Sequence, residues 1–76
     1  MNVIVYSTPR CPWCRRVKEY LEYQDIEYTD YNIYKDYNAA REMIRKSRQK
    51  GVPVLDINGH IVIGFNKKSI DKLLNL

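Results

Sequence analysis

Both cysteines of this chain fall in one tetrapeptide, Cys11-Pro12-Trp13-Cys14, and the residues on either side restrict the folds that can hold it. Upstream, Val3-Ile4-Val5-Tyr6 is a short apolar run with β-branched residues that stops at Ser7-Thr8-Pro9, so it reads as a buried central strand at about residues 2–6. Downstream, Pro12 suits the first helical turn, where its missing N–H and fixed φ cost nothing, and Val17, Tyr20, Leu21 and Gln24 recur at helical spacing. The spacing predicts a helix from Pro12 to about Tyr23. Cys14 lies on its inward stripe with Val17 and Leu21, while Cys11 stands at the exposed tip. A sulfur at a helix N-terminus has its thiolate favoured by free N–H groups and by the helix dipole. One sulfur is then open to attack from solvent and the other sheltered.

Gln24-Asp25 breaks the helical pattern, and Ile26-Glu27-Tyr28-Thr29-Asp30-Tyr31 alternates as a half-buried strand does. A right-handed β-α-β crossover makes this strand parallel to the first and leaves Cys11 at the carboxyl end of the first strand. Asn32 to Asp36 is a polar turn, and Asp36 or Asn38 caps a second helix with Ala40, Met43, Ile44 and the region of Ser47 inward and Arg41, Glu42, Arg45 and Lys46 outward. That helix is expected to end around Gln49-Lys50-Gly51, with Gly51 as its C-terminal cap. Val52 to Ile57, the pair Asn58-Gly59 and His60 to Ile63 form the clearest hairpin, since Asn-Gly is the preferred type I′ turn. Pro53 is tolerable there only at the start of a strand. After Gly64-Phe65, Asn66 is a capping candidate for a last helix striped by Ile70, Leu73 and Leu74. The order is β-α-β-α-β-β-α, an α/β class, with no internal repeat, linker or low-complexity stretch.

At 76 residues the chain is expected to be one domain over 1–76 with a thin core. Hydrophobic residues at 45% and charged residues at 29% are ordinary globular values and give no sign of disorder or a fibrous repeat. No run of about 18 apolar residues is present to span a bilayer, and the N-terminus opens directly as a strand, so a cytoplasmic protein with no membrane partner is expected. The net charge of +4 eases encounter with anionic partners without amounting to a nucleic-acid signature.

A lone C-x-x-C is half of a metal site, an incidental pair, or a thiol–disulfide couple. A structural zinc needs about four ligands, and His60 is the only other soft one, so no metal site is expected. Its position after the first strand of a β-α-β unit, opening a helix, is the setting of a redox pair. The loop closed by two cysteines three positions apart is too short to act mainly as a staple. Of the seven tyrosines, Tyr28, Tyr31, Tyr34 and Tyr37 share no single face, which favours packing over base stacking. Trp13 is expected at the surface, touching a partner, and His60 exposed beside its turn.

The tetrapeptide, Val52-Pro53 before a strand, and Ile63-Gly64-Phe65 before a final helix together resemble the glutaredoxins of the thioredoxin-fold superfamily, above all the short bacterial and archaeal glutaredoxin-like redoxins. The resemblance spans essentially the whole chain. It implies a four-stranded mixed sheet with helices on both faces, Cys11 as attacking thiolate, Cys14 as resolving thiol, and a cis peptide between Val52 and Pro53. It also implies a binding surface for substrate or glutathione drawn from Arg10, Pro12, Trp13, Val52, Pro53, Gly64, Phe65 and Asn66, with no bound cofactor and glutathione as one candidate reductant. Arg10 is a better candidate than Arg15 or Arg16 to stabilise the Cys11 thiolate. Disulfide-bearing proteins or glutathione, thioredoxin reductase and ribonucleotide reductase are the implied partners of a monomer.

Three departures bear on the reductant. Glutathione-using relatives usually carry Lys where this chain has Thr8, and a Gly-Gly and an acidic or polar pair where it has Gly64-Phe65-Asn66-Lys67. Arg48, Gln49 or Lys50 remain as candidates for a glycyl carboxylate. The departures favour a redoxin fed by thioredoxin reductase. The rival from another class is a binding module, either an iron–sulfur carrier bridged by glutathione or a basic nucleic-acid binder. Pro12 counts against the iron–sulfur version.

Overall fold

The computed structural model describes residues 2–76. Along the chain run β1 (Val3–Ser7), α1 (Pro12–Tyr23), β2 (Thr29–Asn32), α2 (Tyr37–Ser47), β3 (Val54–Ile57), β4 (His60–Ile63) and α3 (Lys67–Leu74). The four strands form one mixed sheet in the order β2-β1-β3-β4. β1 is parallel to β2, with Val5 opposite Asp30, and antiparallel to β3, with Tyr6 opposite Val54. β4 completes the sheet antiparallel to β3, with Ile63 opposite Val54. The carboxyl ends of β1 and β4 and the amino end of β3 therefore meet at one edge, and the loops leaving that edge carry Cys11, Val52-Pro53 and Gly64-Phe65.

The period of two along the strands sorts the core into two layers. Val3, Val5, Leu55, Ile57 and Val62 face α1 and α3, which contribute Val17, Leu21, Ile70 and Leu74. On the other side Tyr6 and Val54 pack against Ala39 and Met43 of α2. Helices thus cover both faces of the sheet, as the thioredoxin-like fold requires. Burying a side chain such as Leu21 completely is worth about 2 kcal/mol, so each layer needs only a few such residues to hold its helix.

The helix ends account for the differences from the sequence expectation. α1 ends in a Schellman arrangement: Asp25 is left-handed at φ 58°, and the N–H groups of Asp25 and Ile26 donate back to the carbonyls of Glu22 and Leu21. Residues 24–28 are thereby used in leaving the helix, and the second strand starts at Thr29 instead of Ile26. α2 is capped by Asp36, whose carboxylate accepts from the Ala39 N–H at 3.0 Å, and not by Asn38. It stops before Gly51, because Arg48 takes the left-handed conformation at φ 59° and donates its N–H to the Ile44 carbonyl. Of the expected inward stripe Met43 is buried and Ala40 and Ser47 are half-buried, but Ile44 is not inward. Ala39 and Met43 are the buried pair, packed against Tyr6 and Val54, whereas Ile44 is 38% exposed.

The hairpin turn matches its expectation, with Asn58 and Gly59 both at positive φ, 53° and 92°. Beneath it, a polar cluster ties α2 to the sheet. The Lys46 ammonium reaches the Asp56 carboxylate at 2.7 Å, the Glu42 carboxylate at 2.9 Å and the Tyr6 hydroxyl at 2.9 Å. Tyr6 donates to Glu42 at 2.7 Å, and the second oxygen of Asp56 accepts the Gly59 N–H at 2.8 Å. No helix of the described residues is long and apolar enough to cross a membrane.

Candidate functional site

Cys11 is the N-cap of α1, in an extended conformation just outside the first turn. Its sulfur accepts the Cys14 backbone N–H at 3.1 Å, the bond that a Ser or Asp cap would make through oxygen. Pro12 at the first helical position removes a donor that would have had no partner there. Cys14 is 1% exposed, beside Val17 on the buried stripe, and Cys11 is half-buried. The two sulfurs are joined as a disulfide, with Cα atoms 5.2 Å apart. The helix therefore divides the pair into a sulfur that solvent reaches and one held against the core.

Two recesses flank the cysteines. On one side, Trp13, Val52, Pro53, Gly64 and Phe65 line a shallow groove of about 290 Å³. The Val52–Pro53 peptide is cis. Pro53 accepts the Gly64 N–H through its carbonyl at 2.8 Å, and Gly64 takes φ 77°, a conformation that favours glycine. Trp13 is 54% exposed, with its ring 6.5 Å from Phe65 and under the Arg16 guanidinium at 4.7 Å. On the other side, Thr8, Pro9, Cys11, Arg15, Lys18 and Asp30 are among the residues lining a cleft of about 300 Å³.

The sequence offered no candidate for the polar floor of that second cleft. Ser7, buried at the end of β1, donates its hydroxyl to Asp30 at 2.7 Å, and Lys18 pairs with the same carboxylate at 2.9 Å. Tyr28, at the rim, donates to Glu22, and burial followed by that carboxylate holds its hydroxyl well above the ordinary tyrosine range. The available signal was spacing: Lys18 lies two helical turns after Cys11 and so returns to the same face.

The chain matches the glutaredoxin family model over residues 3–62. It belongs to the glutaredoxin family. It is 50% identical over 70 residues to an uncharacterised glutaredoxin-like 8.6 kDa protein in the rubredoxin operon of Clostridium pasteurianum, covering 92% of this chain and 93% of that one. It is 34% identical over 65 residues to glutaredoxin 3 of Escherichia coli strain K12, covering 83% and 76%. Among solved structures, a mutant of a thioredoxin-like protein superposes with a TM-score of 0.93 at 31% identity, over 97% of this chain and 95% of the other. A glutaredoxin with a Cys-x-x-Cys pair so arranged carries the elements of a thiol–disulfide redox site.

The glutaredoxin fold brings most of the expected site residues together. Cys11, Pro12, Trp13 and Cys14 share the first turns of α1, and Val52, Pro53, Gly64 and Phe65 face them across the groove. Two stand apart. Arg10 lines a separate recess with Thr8, Pro9 and Tyr34. Asn66 caps α3, its side-chain oxygen accepting the Ser69 N–H at 3.1 Å. Gln49 is likewise engaged, its amide group bonded to both the N–H and the carbonyl of Gly51.

Proposed function

We propose that the protein is a dithiol oxidoreductase that reduces disulfides in protein partners. The observation that carries this is the split environment of the two sulfurs, one accepting a helix N-terminal N–H and open to solvent, the other buried within bonding reach. In the reduced protein the Cys11 thiolate attacks one sulfur of a partner disulfide. A mixed disulfide forms and the other partner sulfur leaves as a thiolate. Cys14 then gives up its proton and attacks the Cys11 sulfur, forming the internal disulfide and expelling the second partner thiolate. Two electrons pass to the partner, which leaves as a dithiol after taking up the Cys14 proton and one proton from solvent. The Cys14 N–H that bonds the Cys11 sulfur stabilises negative charge on it whenever it is a thiolate.

Val52 makes no backbone hydrogen bond among the described residues, and it lies across the groove from Trp13. An extended segment of the partner pairs with it as an added strand does, placing its disulfide before Cys11. The internal disulfide is reopened by thioredoxin reductase in preference to glutathione. Phe65 occupies the place of a second glycine, and the polar groups of Asn66 and Gln49 that would hold a small peptide are bonded within the fold. A protein of this kind serves a reducing cytoplasm, and ribonucleotide reductase is a candidate acceptor of its electrons.

The test offers the oxidised protein either thioredoxin reductase or glutathione with its reductase, each with NADPH, and follows NADPH consumption against a disulfide substrate. Turnover with thioredoxin reductase is expected to exceed turnover with glutathione. Equal turnover would overturn the choice of reductant, and none with either would overturn the oxidoreductase reading. Absorbance of the anaerobically purified protein checks the rival, since a visible cluster band would make iron–sulfur carriage the main role.

A further inference from the structure

Charge on α1 is arranged against its own dipole. Acidic side chains stabilise a helix at its N-terminus and cations at its C-terminus. α1 has no acid in its first turn and no cation in its last. Arg10 precedes its cap, Arg15 and Arg16 follow Cys14, and Glu22 and Asp25 lie at its far end. α3 shares only the N-terminal half of this arrangement: it opens on Lys67-Lys68 with no acid in its first turn, while its last turn carries Lys72 as the dipole favours. The contact between Trp13 and Phe65 brings these two N-termini to the same face.

The cations there are also unneutralised. Of these residues only Lys67 is paired, with Asp71 at 2.8 Å. Arg10, Arg15, Arg16 and Lys68 are exposed and pair with no carboxylate among the described residues. On the groove side helix dipoles and side-chain cations therefore add, whereas the cleft on the other side of Cys11 sets Glu19, Glu22 and Asp30 against Arg15 and Lys18.

We propose that this face docks an acidic protein segment that carries the disulfide, with carboxylates set against the N-termini of α1 and α3 and an apolar side chain in the groove of Trp13, Pro53 and Phe65. The inference deepens the proposed exchange reaction and depends on it. It names the partner by chemistry: a cystine flanked by Asp or Glu with one neighbouring aliphatic or aromatic residue. The cost in helix stability is explained if fast encounter with such a segment is what the charges provide.

The test uses two synthetic peptides with the same intramolecular disulfide and apolar residue, one flanked by Asp and Glu and the other by Asn and Gln. Each is mixed with the reduced protein in stopped flow. The single tryptophan, Trp13, next to Cys14, reports formation of the internal disulfide. At low ionic strength the acidic peptide is expected to react about tenfold faster, as steered association does. The advantage should largely disappear once the Debye length falls to about 8 Å at physiological salt. In the double variant Arg15→Glu with Lys68→Glu, the ratio of the two rates should fall to about one or below. That ratio is insensitive to a general loss of folded protein, which lowers both rates alike. Equal rates for the two peptides, or a preference that survives salt and the double reversal, would overturn the docking inference and leave the exchange reaction intact. Failure of both peptides to react would instead overturn the exchange reaction itself. A neutral peptide carrying a glutathione mixed disulfide that outpaces the acidic peptide would assign the surface to the glutathione anion and overturn the acidic-segment reading.

Discussion

Replacing Lys46 by Met tests whether the polar cluster under the hairpin holds α2 to the sheet. Lys46 is 18% and Asp56 10% exposed, so their 2.7 Å contact lies between a surface pair, worth about 0–1 kcal/mol, and a fully buried one, whose disruption costs about 3–5 kcal/mol. Met keeps the aliphatic stem and removes only the charge. Asp56 then retains one bond, to the Gly59 N–H, and Tyr6 retains Glu42. Two charge-assisted contacts and one hydroxyl contact are lost at partly screened positions, so the cost should be about 2 kcal/mol. In a domain of this size that lowers Tm by about 8–16 °C.

Circular dichroism melts and urea titrations of the oxidised protein measure it. Adding Asp56→Asn to the Lys46→Met variant should recover about half of the loss, because Asn still accepts the Gly59 N–H and leaves no stranded carboxylate. A Lys46→Met protein within about 0.5 kcal/mol of the parent would refute the reasoning, since it would mean that water screens the cluster as it screens surface pairs.

Cys11→Ser should abolish disulfide reduction entirely, while Cys14→Ser should still form a mixed disulfide, trappable by mass spectrometry, yet lose turnover on protein disulfides. Full activity in Cys14→Ser would show that Cys14 is not the resolving thiol. Acid should weaken the fold through Glu42 and Asp71. Their carboxyls sit below the ordinary values of 4.5 and 3.8, chiefly because each is bonded to a lysine, Lys46 and Lys67. A depressed carboxyl stabilises above its unfolded value, so the stability is lost as pH falls through the folded one, and urea midpoints should drop below about pH 4. Alkali acts in the opposite sense on Tyr6, Tyr20 and Tyr28, all raised above 10.0: Tyr6 and Tyr28 mainly by burial, Tyr20 mainly by its bond to Asp71. Their contribution is present below the unfolded value and lost as pH rises through the folded one. A tyrosinate absorbance titration should therefore show a late group of tyrosines that ionise together with unfolding. Titration of all seven as one simple group would contradict it.

The local setting of Cys11 and Cys14, at the start of a helix after a central strand, is legible because its signals are local. Pro12 marks a first helical turn, Val17 and Leu21 set the buried stripe, and Asn58-Gly59 fixes a turn through backbone conformations that few other pairs adopt. What could not be read off the sequence depends on contacts between distant residues or on backbone strain. The left-handed residues that end α1 and α2 are Asp25 and Arg48, not the glycine that helix ends favour, so the sequence pattern of the second helix runs on toward Gly51. Lys18 and Asp30 of the Cys11 cleft, with Ser7 bonded behind Asp30, come from three elements, and no single stretch announces that they meet. Lys46 reads as an outward-facing helix charge until Asp56, ten residues later and on another element, is seen beneath it.

The same distinction bears on the reductant. A small tripeptide has to be gripped by polar side chains, and two of the candidates near this groove are already employed: freeing the Asn66 side chain gives up a helix cap worth about 1 kcal/mol, and freeing Gln49 gives up its two bonds to Gly51 in the turn before Val52. Each such cost is subtracted from binding before any contact with the ligand is counted. The protein partner proposed above meets no such penalty. It can use the open backbone of Val52, the exposed ring of Trp13 and the unpaired cations around Cys11, all of which are available without rearrangement. On the proposed reading, a protein reductase and an acidic disulfide-bearing substrate meet one and the same face, the one that carries Trp13 and the exposed edge of Val52.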